Sequence, residues 1–278
     1  MGVPPPTDPS FFEQTPPEQA AAPPIPVFIP EPRRDHGIDL VDTFLVFIAA
    51  FCALIFSGLI GTIIFYMAHY PRLPDPKAIA SNALFVIPTE VGAYVIVVAF
   101  MAFVVWIRHN QALFEAVHWN MPPQRIALAA LGGGAGLAMF SLIAETLLQR
   151  WTPKSLPIEE FFKNPSSGYL LAAFGVLVAP LVEELFFRGF LYPALARWTG
   201  SIIAIVITAA AFAALHGTQL AYSWAPLLVL FVVGTVLTVI RARKGSVATC
   251  VIVHMGYNLV LFLVLFLHTG GFHHMERV

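Results

Sequence analysis

The amino-acid sequence predicts an all-α fold, a polytopic transmembrane helical bundle with about seven to eight membrane helices. Composition gives the first indication: of 278 residues, 58% are hydrophobic and only 11% are charged. A soluble globular chain carries about 25% charged residues. The mean hydropathy of +0.78 gives the second. Third, apolar runs of about the 20 residues that a bilayer requires recur along the chain.

Seven apolar runs carry the predicted membrane helices, and the fifth and sixth are shorter than the others. They cover residues 41–68, 83–107, 126–148, 169–190, 201–216, 225–240 and 247–267.

The chain divides into four predicted regions. Residues 1–36 hold 11 of the 23 prolines and show no helical periodicity, which is typical of a disordered tail. Residues 37–168 carry the first three membrane helices and their connectors. Residues 169–267 carry the last four helices, and residues 268–278 form a C-terminal tail.

Charge and cysteine content exclude several classes of function. The net charge is -1, and no basic block or stripe is present, so no nucleic-acid partner is expected. Cys52 and Cys250 both fall inside apolar runs and are predicted to be packed thiols. The segment "RARKG" holds three positive charges, whereas the connector at 217–224 holds none. By the positive-inside rule this predicts a cytoplasmic N-terminus.

One apolar run contains two adjacent acids and an arginine, in "PLVEELFFRGF". A charged side chain near the bilayer centre carries an insertion penalty of about 2.5–3.5 kcal/mol, so it marks a functional site or a satisfied pair. Arg188 follows Glu184 by four residues, the spacing at which an acid and a base meet on a helix. Glu183 is rotated by about 100° from Glu184, which leaves it without that partner.

Two later apolar runs each contain a histidine and a second residue four positions away, so both side chains lie on one face of the predicted helix. "FAALH" puts Phe212 and His216 on one helix face, and "HMGYN" does the same for His254 and Asn258. A single histidine of this kind is more often a packing residue. Together with Glu183, however, these runs supply an acid, two imidazoles and an amide at membrane depth.

Depth can be compared by counting residues from the turns. Glu183 and His216 each lie 16 residues from the turn at "RWTGS", roughly 24 Å along an α-helix. His254 lies nine residues after Gly245, about 14 Å from its own turn. To meet His254, the first hairpin must protrude or its helix must bend, and Pro193 would supply a bend.

Other polar residues are assigned structural roles. Glu90 and Glu145 are isolated acids that one hydrogen bond or snorkelling can satisfy. Glu159 and Glu160 form a second acid pair in a Pro-flanked connector, with Asn164 where an arginine would pair. This pair is predicted to lie on a short interfacial helix and to take no part in a site.

The three motifs resemble those of the type II CAAX prenyl endopeptidase and bacteriocin-processing family of intramembrane proteases, also called CPBP or Abi. That family is marked by EExxxR, FxxxH and HxxxN on successive helices. The resemblance covers about residues 169–267, which it identifies as a catalytic membrane domain with a cytosol-facing cavity. It implies six site residues: Glu183, Glu184, Arg188, His216, His254 and Asn258.

The resemblance also implies roles for these residues. It assigns Glu183 and His216 to the activation of water, and His254 and Asn258 to stabilisation of the oxyanion. Because the family is often described as metalloproteases, Glu183, His216 and His254 are also candidate ligands of one divalent metal, zinc above all. The sequence does not decide between a metal-bound water and one activated by a bare glutamate.

The function expected is therefore that of an intramembrane endopeptidase, acting on a membrane-anchored protein or peptide in a lipid bilayer. Two alternatives stay open. One is a non-catalytic membrane scaffold or degenerate family member, whose polar groups only join helices. The other is a proton-coupled transporter, although no internal repeat is visible. A multi-pass location in a bacterial inner membrane is expected.

Overall fold

The structure is a computed structural model, and it describes residues 1–2, 37–71, 75, 79, 82–162 and 164–275. Most of the predicted Pro-rich tail, residues 3–36, lies outside the described residues. Long helices run through the described part of the chain. They are α1 (Leu40–His69), α2 (Ala83–His109), α3 (Gln124–Leu148), α4 (Pro165–Thr199), α5 (Ser201–Leu215), α6 (Trp224–Lys244) and α7 (Val247–His268).

The all-helical membrane fold is confirmed, since a helix occupies each predicted run and no strand occurs among the described residues. Six of these helices are long and apolar enough to cross a membrane. The exception is α5, whose 15 residues span about 22 Å at 1.5 Å per residue. The chain is therefore a multi-pass membrane protein, with one short helix among its longer ones.

The helices α1 and α2 form a hairpin that is joined by charged groups at one end. Asp39 caps α1 and exchanges hydrogen bonds with Asp42 in a capping box. Asp42 is fully buried and accepts from Arg108 and His109 in the last turn of α2. Because the acids lie at a helix N-terminus and the bases at a C-terminus, both helix dipoles favour the cluster.

The helix α3 packs closely behind α7. A Cβ at Gly134 would lie 2.1 Å from the carbonyl oxygen of Val253, and one at Gly256 would lie 2.5 Å from the carbonyl oxygen of Leu131. Only glycine permits this approach of two backbones. Both contacts flank His254, so α3 fixes α7 at the depth where the sequence places site residues.

The helix α4 is not α-helical throughout. Two π-helical turns, Phe174–Val178 and Leu185–Leu191, interrupt it on either side of the segment that carries Glu183 and Glu184. The sequence predicted a bend at Pro193 but neither π turn. Such turns hydrogen-bond from residue i to residue i+5 and occur frequently at functional sites.

Several connectors meet at the end of the bundle that holds the start of α1. Arg197, just before the turn between α4 and α5, donates to the carbonyl oxygen of Gly37 at 2.6 Å. Ser246, at the turn between α6 and α7, donates to the carbonyl oxygen of Asn120 at 2.6 Å. The first contact ties α4 to the residues before α1, and the second ties the α2–α3 connector to the start of α7.

Candidate active site

Glu184 and Arg188 form a buried ion pair. The Arg188 Nη1 atom lies 2.8 Å from Glu184 Oε1, and both side chains are fully excluded from solvent. Arg188 also donates from Nη2 to the carbonyl oxygen of Gly234 on α6, at 2.9 Å. The pairing predicted from the four-residue spacing is confirmed. Because removing one partner leaves a buried charge, the pair holds the middle of α4 in one arrangement.

His254 on α7 joins this pair to the second glutamate. Its Nδ1 atom lies 2.9 Å from Glu184 Oε1. An ionised carboxylate only accepts hydrogen bonds, so Glu184 fixes a proton on Nδ1 and orients the ring. The Nε2 atom then faces Glu183, whose Oε2 lies 3.9 Å away. A carboxylate that orients an imidazole toward the reacting groups is a recurring catalytic arrangement.

Glu183 retains access to solvent, with 13% of its side chain exposed. The 3.9 Å separation from His254 Nε2 is too long for a hydrogen bond. The two adjacent glutamates therefore differ. The Oε1 atom of Glu184 is bonded to both Arg188 and His254, and Glu183 is the partly exposed acid of the pair.

Phe212 brings the two histidines to one place. Its ring centroid lies 5.0 Å from that of His216 and 5.7 Å from that of His254. The Arg188 guanidinium lies 4.8 Å from the same ring, within the range of a cation–π interaction. The predicted contact between Phe212 and His216 is confirmed, and Phe212 serves as the common packing surface of the site.

His216 lies at the C-terminal end of the short helix α5. The helix ends at Leu215, and His216 is its C-cap residue. The His216 Nδ1 atom lies 2.9 Å from the carbonyl oxygen of Phe212, which can only accept a hydrogen bond. Nδ1 therefore carries a proton in this contact, and Nε2 is the basic nitrogen of a neutral ring. His216 and His254 are oriented through the same ring atom.

Asn258 does not project freely into the site. Its Nδ2 atom donates to the carbonyl oxygen of Gly175, in the first π turn of α4, at 2.7 Å. A Cβ at Gly175 would lie 2.8 Å from the Phe262 ring, so glycine leaves room for this ring where α4 packs against α7. The amide nitrogen of Asn258 has a second N–H, and its expected role toward an oxyanion stays a prediction.

Two residues of α2 extend the site beyond the three motifs. Glu90 lies within electrostatic range of Glu183, and Tyr94 lies within electrostatic range of both acids. The Tyr94 ring stacks on that of Phe174 at 5.6 Å, which ties α2 to the first π turn. The signal in the sequence was an acid inside an apolar run, followed one turn later by a tyrosine.

The residues proposed as metal ligands do not form a ready metal site. Within the described residues, no three His, Cys, Asp or Glu side chains are arranged to hold a metal ion. His254 has already committed Nδ1 to Glu184. A zinc ion at Glu183, His216 and His254 therefore stays a prediction, and no catalytic step is derived through it.

The second acid pair lies in a different segment of the chain from the six predicted site residues. Glu159 and Glu160 lie in the first turn of a 3₁₀ helix, Pro157–Phe162, in the α3–α4 connector. The prediction of a short helix for this pair is confirmed.

Comparison with known protein families assigns part of the chain. Residues 165–260 match the family model described as Type II CAAX prenyl endopeptidase Rce1-like. The matched segment contains all six predicted site residues and leaves α1, α2 and α3 outside. The resemblance inferred from the three motifs is therefore confirmed for this segment. A search of curated proteins and a search of solved structures each found no match.

Proposed function

We propose that this protein is an intramembrane endopeptidase that hydrolyses a peptide bond of a membrane-anchored protein or peptide. The Rce1-like family match supports a CAAX-protease-type membrane endopeptidase. One observation carries the assignment to these residues: His254 bonds the buried Glu184 through Nδ1 and turns Nε2 toward the accessible Glu183. A scaffold needs the hydrogen bond between His254 and Glu184, but it has no use for an Nε2 atom turned toward Glu183.

In the proposed reaction, a water binds between Glu183 and the histidines. Glu183 takes a proton from this water as its oxygen attacks the carbonyl carbon of the scissile bond, and His216 Nε2 holds the attacking water in place. The carbonyl oxygen becomes an oxyanion. Glu183 then passes its proton to the leaving nitrogen, the oxyanion collapses to a carbonyl, and the C–N bond breaks. The new carboxylic acid gives its proton to the released amine, so a carboxylate and an ammonium group remain and Glu183 is ionised again.

The oxyanion is stabilised by donors that face it from α7. Asn258 retains one amide N–H after donating the other to Gly175. The His254 Nε2 atom, which faces Glu183, donates to the oxyanion in the ring form that carries a proton on this nitrogen. Donors of this kind contribute most when they are held in place before the reaction starts.

The proposal is tested by comparing wild-type protein with Glu183→Gln on membrane-anchored peptide reporters in detergent micelles. The variant keeps the side-chain shape and loses the base, so turnover is expected to fall at least about 100-fold. New peptide termini are quantified by mass spectrometry. The same wild-type preparation is analysed for bound zinc, and stoichiometric absence in active protein would remove the metal from the mechanism.

The matched controls are Glu159→Gln and Glu160→Gln, which make the same change in the connector pair and should retain wild-type turnover. Near wild-type cleavage by Glu183→Gln would contradict the assignment of the base. A wild-type protein that cleaves none of the reporters would favour the scaffold interpretation.

A further inference from the structure

Each π turn of α4 is followed by a proline. The proline occupies the position whose backbone N–H would make the next hydrogen bond to a carbonyl five residues earlier. At the end of the first turn, the N–H of Ala179 donates to the carbonyl of Phe174, five residues earlier. The same register would pair residue 180 with the carbonyl of Gly175, but residue 180 is Pro180 and has no N–H. Asn258 supplies the missing donor from α7, at 2.7 Å.

The second π turn repeats this arrangement with a different donor. The N–H of Tyr192 donates to the carbonyl of Phe187, five residues earlier. The next pair would join residue 193 to the carbonyl of Arg188, but residue 193 is Pro193. Here the donor is Arg241 on α6, whose Nε lies 2.9 Å from the Arg188 carbonyl oxygen.

We propose that Arg241 is a positioning residue of the active site, which replaces the backbone donor removed by Pro193 and so holds the turn that presents Arg188 to Glu184. The proposal rests on the proposed function, because it concerns the geometry of the same site. Arg241 touches neither substrate nor reacting atoms in this assignment and acts through Arg188.

The burial of Arg241 supports this role. Its side chain lies among buried residues of α6, with only 8% of the residue exposed. Its hydrogen bonds go to backbone carbonyls, the second being that of Val117 in the α2–α3 connector at 3.5 Å. A buried guanidinium is costly unless its donors are used, so its position here indicates a specific task. Gly189 packs against Val117 at the same place, since a Cβ there would lie 3.0 Å from the valine side chain.

The helix α6 thus holds Arg188 at two points. The carbonyl of Gly234 accepts from the Arg188 guanidinium, and Arg241, seven residues later on α6, donates to the Arg188 backbone. Seven residues are about two helical turns, so both contacts come from one face. Loss of the second contact frees the Arg188 backbone to move, and Glu184 and His254 move with it.

A double-mutant cycle tests the inference on full-length protein with a cleaved reporter peptide. Arg241→Met is expected to lower kcat about 10-fold with KM changed by less than about 2-fold, because misplacement of reacting groups lowers turnover. Arg243→Met removes the same charge two residues away, at an exposed position, and should leave both constants unchanged. Arg241→Lys keeps a donor and should recover part of the loss.

The decisive variant in the double-mutant cycle is Pro193→Ala, because it restores a backbone N–H at residue 193. In that background Arg241→Met should lower kcat by only about 3-fold, a coupling within the range seen for residues that share a partner. The crossed combination of Pro180→Ala with Arg241→Met should show no coupling, because Pro180 belongs to the other turn. Equal losses from Arg241→Met with and without Pro193→Ala would overturn the inference.

A second measurement tests the inference without requiring that the protein cleave a reporter peptide. The ¹⁵N shifts of His254 report which ring nitrogen carries the proton. Wild-type protein should show the Nδ1–H form, and Arg241→Met should show a mixture that Pro193→Ala reverses. If the wild type shows this pattern but cleaves nothing, the proposed function fails and the positioning role stands. An unchanged His254 signal in Arg241→Met would overturn the positioning role.

Discussion

The two π turns of α4 have the same construction but differ in what holds them. In each, a proline removes a backbone donor and a side chain from a later helix replaces it. Asn258, at the first turn, belongs to a motif that marks the site, and it lies on the same helix as His254. Arg241, at the second turn, lies in a basic segment that the sequence associates with membrane orientation. The difference shows that two residues can have equivalent structural roles although only one of them belongs to a recognisable sequence motif.

The segment between the two π turns is held in position from both ends. Glu183 and Glu184 lie in the six-residue α-helical segment Ala179–Glu184, with a π turn on each side. Widened turns change which residues face a neighbouring helix, since the residues per turn differ from those of an α-helix. Fixing both turns therefore fixes the direction in which the two carboxylates point.

The largest effect is expected at the first turn. Asn258→Asp keeps the side-chain shape but removes both N–H groups, so the Gly175 carbonyl loses its donor and the oxyanion loses one as well. Turnover should fall about 100-fold, since removal of a single oxyanion donor costs about 10²–10³ in kcat. The measurement is kcat on the reporter peptide.

Asn120→Asp is the matched control, because Asn120 also donates an amide N–H to a backbone carbonyl, that of Gly245, at an exposed site. It should leave kcat within about 2-fold of wild type, as exposed substitutions usually have small effects. A loss at Asn258→Asp no larger than that expected for Arg241→Met would indicate that both turns act only through positioning.

Smaller effects are expected from the prolines themselves. Pro180→Ala offers the Gly175 carbonyl a backbone donor and displaces Asn258, so kcat should fall about 5-fold, equivalent to about 1 kcal/mol. Pro193→Ala displaces only Arg241, and the restored N–H fulfils the same task, so kcat should change by less than about 2-fold. A larger loss at Pro193→Ala than at Pro180→Ala would reverse the ranking of the two turns.

Much of the fold followed from local patterns. Long apolar runs predict helices wherever they occur, and a helix occupies each of them. The Glu184–Arg188 pair also followed from local spacing, because residues four apart meet on one helix face. In contrast, the contact between His254 and Glu184 joins residues 70 positions apart, and the sequence did not predict it. The family resemblance implied only that both residues belong to one site.

The π turns were beyond prediction for a physical reason. Pro180 and Pro193 were both visible, but a proline in a helix is compatible with a kink, a break or a widened turn. Which of these occurs depends on whether another helix supplies a donor for the freed carbonyl. That donor comes from Asn258 or Arg241, residues that lie 83 and 53 positions away from the carbonyls they satisfy.

The most direct test of the account compares alanine at each of the two adjacent glutamates, with the free energy of unfolding measured in detergent micelles. Glu184→Ala leaves Arg188 as a buried unpaired charge and should lower the free energy of unfolding by about 3–5 kcal/mol. Glu183→Ala removes a partly exposed group and should change it by less than about 1 kcal/mol, while abolishing turnover. Equal destabilisation by the two substitutions, or a stable Glu184→Ala protein, would contradict the division of the pair into one structural and one chemical glutamate.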